Sequence, residues 1–168
     1  MTKFLKLLAI FAITTPFPIS AEAKETYIPI LVPITGFLSL EGTAQRNGAI
    51  QALDEAPSNL KIKYEVSDTS TSPEVAVTAL QRALSRGKPV AIAAPIFGTQ
   101  MLAMLPIAKR AEVPLITVSG TAKLTELDNP FIFRFFPGDA VVKVAHARYV
   151  TEVLSAKRPA LLYQTTAY

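Results

Sequence analysis

The sequence predicts an α/β domain built on a doubly wound parallel sheet, and three observations carry that reading. Short apolar stretches recur, as at residues 90–94 and 115–118, too uniformly apolar to alternate between core and water; that is the pattern of strands covered on both faces. Segments of helical composition separate them, so strand and helix alternate along the chain, which favours parallel strands with right-handed crossovers. Two of the apolar runs end in small polar residues, Gly98 and Thr99 in one case and Ser119, Gly120 and Thr121 in the other. Such endings suit the carboxyl edge of a parallel sheet, where backbone N–H groups and hydroxyls receive a ligand carboxylate.

The elements follow in order. Residues 27–34 read as a strand, with Pro29 near its start where no ladder donor is needed. Thr35 and Gly36 open a loop that runs to Gly42, and a helix is expected over 43–56 with Ala44, Ala49, Ala52 and Leu53 inward, stopped by Pro57 and Asn59. Residues 60–66 alternate between apolar and charged, which predicts a strand with one wet face at the sheet's edge. Ser72, Pro73 and Glu74 supply an N-cap, a proline at the first helical position and an acid in the first turn, so a helix should run to Arg86 and end at Gly87. After the 90–94 strand, a helix over 99–111 contains Pro106, which should bend it or open one hydrogen bond. Pro114 restarts the chain as a strand over 115–118. Asp128, Asn129 and Pro130 form a turn before a strand at 131–136. Asp139 is expected to cap a helix whose core face is Val142, Ala145, Tyr149 and Val153. Residues 159–164 read as one more buried strand, which predicts further sheet beyond Tyr168.

Residues 1–23 carry Lys3 and Lys6, then an apolar run broken by Thr14, Thr15, Pro16 and Pro18, then Ala21, Glu22 and Ala23. This is the pattern of a cleaved secretory signal with an A-x-A site, and the run is shorter than the roughly 20 apolar residues of a spanning helix. No later stretch is long enough to span, so no membrane insertion is expected once the signal is removed. Cysteine is absent from the chain, which excludes an acylated lipoprotein and a disulfide scaffold. An exported, cysteine-free protein fits the periplasm. The formal net charge is +4, with the basic residues dispersed; that describes a solvated surface and argues against nucleic acid as a partner.

The candidate site residues are Gly98, Thr99, Ser119, Gly120 and Thr121. Two polar turns on neighbouring strands make a site for a small-molecule carboxylate such as an amino acid, although the same residues also cap helices and relax turns in the absence of any ligand. Glu41, expected in the first strand–helix loop, is either a solvated surface acid or the recognition group for a cationic part of the ligand such as an ammonium. Phe37, Leu38 and Leu40 in the same loop either fold under it or wall the pocket. Asp68 is read as turn chemistry, with ligand contact as the alternative. His146, the single histidine, is a helix-flank residue with no acid or nucleophile placed to work with it. No nucleophile elbow, phosphate-binding loop, dinucleotide fingerprint or histidine pair occurs, so neither an enzyme nor a cofactor is expected.

The ordered blocks IPILVPITGFLSLEG, IKYEVSDTSTSPEVAV, VAIAAPIFG, VPLITVSGTAKLTE, NPFIFRFFPGD and AKRPALLYQTTAY resemble the N-terminal part of branched-chain amino acid (leucine/isoleucine/valine-type) substrate-binding proteins of ABC transporters. The resemblance implies the type I periplasmic-binding fold, two Rossmann-like α/β lobes that close on a ligand and deliver it to membrane permease subunits. It implies a signal peptide at 1–23, an N-terminal lobe at 24–155 and the first strand of a second lobe at 156–168. It also implies that Ser119 offers its carbonyl to the ligand ammonium and Thr121 its hydroxyl and N–H. The family's usual serine in the preceding turn aligns with Gly98, leaving Thr99 as the nearest hydroxyl, and its first-loop aromatic or apolar contact aligns near Glu41. A ligand-sensing domain of the same fold is the alternative role. Because the family's second lobe supplies an acid and an aromatic to the site, the first lobe alone is expected to bind weakly or not at all.

Overall fold

The computed structural model describes residues 25–163, so the signal-like segment 1–23 and the end of the expected last strand at Gln164 lie outside the described residues. A five-stranded parallel sheet has the order β4-β2-β5-β6-β7, where β2 is Ile30–Val32, β4 Val66–Asp68, β5 Ile92–Ala93, β6 Leu115–Thr117 and β7 Ile132–Arg134. A short parallel pair, β1 (Thr26–Tyr27) with β3 (Ile62–Lys63), lies just before β2 and β4 in the chain. The expected strand at 27–34 is thus split at Pro29, which has no N–H to give to a ladder. Of the expected strand at 60–66, Ile62–Lys63 pairs with β1 and only Val66 enters the edge strand β4, which runs on to Asp68; an edge strand follows α1 as predicted, but later in the chain.

Helix α1 (Ser39–Asp54) follows β2, α2 (Pro73–Arg86) follows β4, and α3 (Gly98–Ala111) follows β5. The chain steps from β2 to β4 on one side, then back past β2 to β5 and outward to β7. With right-handed crossovers, that reversal puts α1 on one face of the sheet and the later helices on the other. The doubly wound α/β class read from the sequence is the one observed.

The main core lies on the α2/α3 face. Leu31, Ile92 and Leu115 from the sheet pack with Ala76, Ala79, Leu80 and Ala83 of α2 and with Met101, Met104, Leu105 and Ala108 of α3. Small residues every third or fourth position on α2 allow its close approach to α3. Helix α2 has the expected bounds, and Ser72 Oγ accepts the Val75 N–H at 3.3 Å. Pro106 is exposed within a continuous α3.

The α1 face is more open. Ala44 and Ala52, expected inward, are exposed, and Ala49 and Leu53 are half-buried. Ile116 and Phe133 on the sheet are also exposed. A four-residue helix α4 (Lys123–Glu126) between β6 and β7 was not expected from the sequence. Helix α5 (Asp139–Arg148) runs into a π-helical turn at Tyr149–Val153. Of its expected core face only Val142 is half-buried, whereas Ala145, Tyr149 and Val153 are exposed, because no other element of the described chain covers them. Leu161, Leu162 and Tyr163 are exposed as well, outside any ladder among the described residues. No helix among the described residues is long and apolar enough to cross a membrane.

Candidate functional site

The loops after β2, β5 and β6 converge at the carboxyl edge of the sheet. The strand order reverses between β2 and β5, so the crevice favoured for ligands in open α/β sheets opens there. The sequence placed that crevice between the Gly98 and Ser119 turns, one strand further out. In the structure Gly98 and Thr99 border it, and Ser119, Gly120 and Thr121 stand on the next strand.

Gly98 is the first residue of α3, whose N-cap position is occupied by Phe97 with no side-chain cap. The first N–H groups of a helix lack partners within it, so α3 presents uncapped donors and the positive end of its dipole to the crevice. The Thr99 Oγ1 is buried without a hydrogen-bond partner among the described residues.

The second turn lies directly against this helix start. A Cβ on Gly98 would fall 1.9 Å from Thr121 Oγ1 and 2.7 Å from Thr121 Cβ, so glycine is what lets the Thr121 side chain close over the end of α3. Ser119 and Thr121 are both buried. Ser119 Oγ donates to Thr121 Oγ1 at 3.3 Å, and the Ser119 N–H is held by Thr117 Oγ1, itself donating to Pro95 O at 2.7 Å. The N–H groups of Gly120 and Thr121 make no hydrogen bond among the described residues. Gly98→Ala should therefore lower stability by about 1–3 kcal/mol, since turning the Thr121 rotamer leaves its Cβ in place. Urea unfolding checks this, and adding Thr121→Gly should return most of the loss.

Two residues that the sequence reading missed or misread shape the turn from behind. Arg134 on β7 donates to the carbonyls of Thr121 (3.0 Å) and Gly120 (3.4 Å). Asp139, expected as a helix cap, is instead the first residue of α5 after an N-cap at Gly138; it is buried, and its N–H donates to Gly120 O at 2.7 Å. A Cβ on Gly120 would lie 2.3 Å from Asp139 Oδ1. With both carbonyls turned toward β7 and α5, the turn keeps its N–H groups for other acceptors.

The rim on the β2 side is organised by Asp68. Its Oδ1 accepts the N–H groups of Ile34 (2.8 Å), Thr35 (3.2 Å) and Ser70 (2.8 Å), and its Oδ2 accepts the hydroxyls of Thr35 (2.6 Å) and Ser70 (3.2 Å). Burial works to raise its pKa, but the Thr35 hydroxyl and these N–H groups outweigh that and hold it down at about 2. The carboxylate is fully engaged within the protein, consistent with turn chemistry. Glu41 lies in the first turn of α1 rather than in a loop, because α1 begins at Ser39, and it is exposed.

A hollow of about 970 Å³ opens at the opposite, amino-terminal edge, where Lys63, Arg86 and Lys88 face Glu25, Glu65 and Glu112. Glu65 already accepts from Tyr27 and Arg86. Equal numbers of acids and bases give this hollow no preference for one ligand charge.

The periplasmic binding protein family matches residues 25–168. Similar solved structures include the leucine binding protein LivK of Thermotoga maritima, with a TM-score of 0.74 and 28% identity over 79% of this chain and 39% of that one. The branched-chain amino acid transporter substrate binding protein LivJ of Streptococcus pneumoniae, in complex with isoleucine, gives 0.71 and 25% over 80% and 40%. A solute binding protein of an ABC transporter from Rhodopseudomonas palustris, in complex with 3,4-dihydroxybenzoic acid, gives 0.59 and 26% over 66% and 31%. The chain spans about two fifths of the length of the first of these. Comparison with curated proteins gives no match. A parallel α/β sheet and a family match over residues 25–168 make the chain a member of the periplasmic binding protein family.

Proposed function

We propose that this protein captures an amino acid or related small carboxylate in the periplasm and hands it to the permease subunits of an ABC importer, without catalysing a reaction. One observation carries the reading. The uncapped N–H groups at the start of α3 and the unengaged N–H groups of Gly120 and Thr121 lie on adjacent strands at the carboxyl edge, beside the point where strand order reverses. Gly98, Thr99, Gly120 and Thr121 receive the carboxylate, the Ser119 carbonyl faces a ligand ammonium, and Glu41 on the same rim meets a cationic group. The ligands of two of the solved relatives, isoleucine and 3,4-dihydroxybenzoic acid, have a carboxylate as their one common polar group. The signal-like residues 1–23 and the family of the chain support export to the periplasm.

The test is amide chemical-shift perturbation of isotopically labelled protein, which registers binding even at millimolar dissociation constants. Leucine or 3,4-dihydroxybenzoate should move the Gly98, Gly120 and Thr121 amides, and leucinamide, which lacks the carboxylate, should not. Equal response to leucine and leucinamide, or no response to either acid, overturns the reading.

A further inference from the structure

We propose that the non-polar half of the ligand is an aromatic ring, received by Phe37 and Phe97 across the crevice between β2 and β5; the inference rests on the carboxylate-binding reading above. The two rings come from the two loops that flank the strand-order reversal, one after β2 and one after β5. Their centroids are 5.3 Å apart and their planes meet at 85°. Phe37 is 70% exposed, so this edge-to-face contact leaves most of its surface open to solvent.

Loop hydrogen bonds fix the backbone that carries that exposed ring. Gly36 takes a φ of +87°, a conformation that suits glycine. Asp68 grips the N–H groups of Ile34 and Thr35 just before it, and Thr71 Oγ1 accepts the Leu38 N–H at 3.4 Å while donating to Thr35 O at 2.9 Å. The loop is thus tied on both sides of Phe37, and a backbone ordered before binding loses little freedom when a ligand arrives.

Phe97 links the aromatic pair to the polar subsite. It immediately precedes Gly98, the first residue of α3, so one loop carries both a ring of the pair and the start of the helix. Two rings at right angles form a corner that a third ring fills by stacking on one and meeting the edge of the other. A puckered or branched aliphatic group of the same size gains buried area but not that ring geometry.

The experiment compares phenylacetate with cyclohexylacetate, which share the carboxylate and the carbon count, by following the Gly98, Gly120 and Thr121 amides and the Phe37 ring signals of the labelled protein. Phenylacetate should bind about tenfold more tightly, moving both sets of signals. Phe37→Ala, at an exposed position, should reduce that ratio to near one while the Gly120 amide still responds to both acids. Equal affinities in the unsubstituted protein overturn the aromatic subsite and leave the carboxylate site standing. So does a ratio unchanged by Phe37→Ala. If neither acid moves Gly98, Gly120 or Thr121, the carboxylate reading fails and the ring subsite fails with it.

Discussion

Replacing Gly42 with alanine should destabilise the protein by about 3 kcal/mol or more, the largest loss expected from a single methyl group here. The added Cβ would sit 1.8 Å from Pro33 O and 2.6 Å from Pro33 C. Those are backbone atoms at the end of β2, so no side-chain rotation opens the space, and α1 must move off the sheet. Gly48 lies on the same helix with nothing within 4 Å of its Cβ position. Gly48→Ala should therefore stabilise the fold by up to about 1 kcal/mol through helix propensity alone. Urea unfolding followed by circular dichroism separates the two: opposite signs are expected, and a small effect at Gly42 would show that α1 is not seated on Pro33 as described.

The second large effect belongs to Asp68. Asp68→Asn removes one charged acceptor and turns part of the side chain into a donor, facing the N–H groups of Ile34, Thr35 and Ser70 and the hydroxyl of Thr35. A loss of about 2 kcal/mol is expected from hydrogen bonds to a charged group. Because the folded pKa, about 2, lies below the usual aspartate value of about 4, folding favours the ionised form. The contribution is complete above about pH 4 and disappears as the pH falls through about 2. The stability gap between the natural protein and Asp68→Asn should therefore be constant above pH 4 and close in acid. A gap that persisted unchanged below pH 2 would rule out the carboxylate as its source.

Much of the fold was legible because local chemistry set it. Helix α2 begins and ends where Ser72, Pro73 and Gly87 say it should, since the cap and the proline act within one turn. Helix α1 began four residues early because its start at Leu38 has no side-chain cap to advertise it. The outward face of α5 was misread for a different reason: a helical period reveals an apolar stripe but not whether anything lies against it. The candidate site was legible in part. Gly98, Thr99, Ser119, Gly120 and Thr121 stand out as polar ends of apolar strands, and the structure brings Gly98 into contact with Thr121. Arg134 and Asp139 did not stand out, since one arginine in a strand and one acid at a helix start are common on surfaces. Their role depends on β7 pairing beside β6, and on the reversal between β2 and β5 that places Phe37 beside Phe97. These are long-range pairings, with no trace in the neighbouring residues.

The parallel sheet also has a kinetic consequence. Each ladder joins strands separated in sequence by at least one helix, as in the pairing of Ile30 with Val66 and of Ile30 with Ala93, and the described chain holds no β-hairpin that could form first. Long loops must close before any such pairing is rewarded, which places folding in the slower part of the range for small domains. The crevice comes into being only when β5 docks beside β2. The proposed donors at the start of α3 and in the Gly120–Thr121 turn come together with the shorter β5–β6 ladder, so the polar subsite can form before the crevice that is proposed to hold the rest of the ligand.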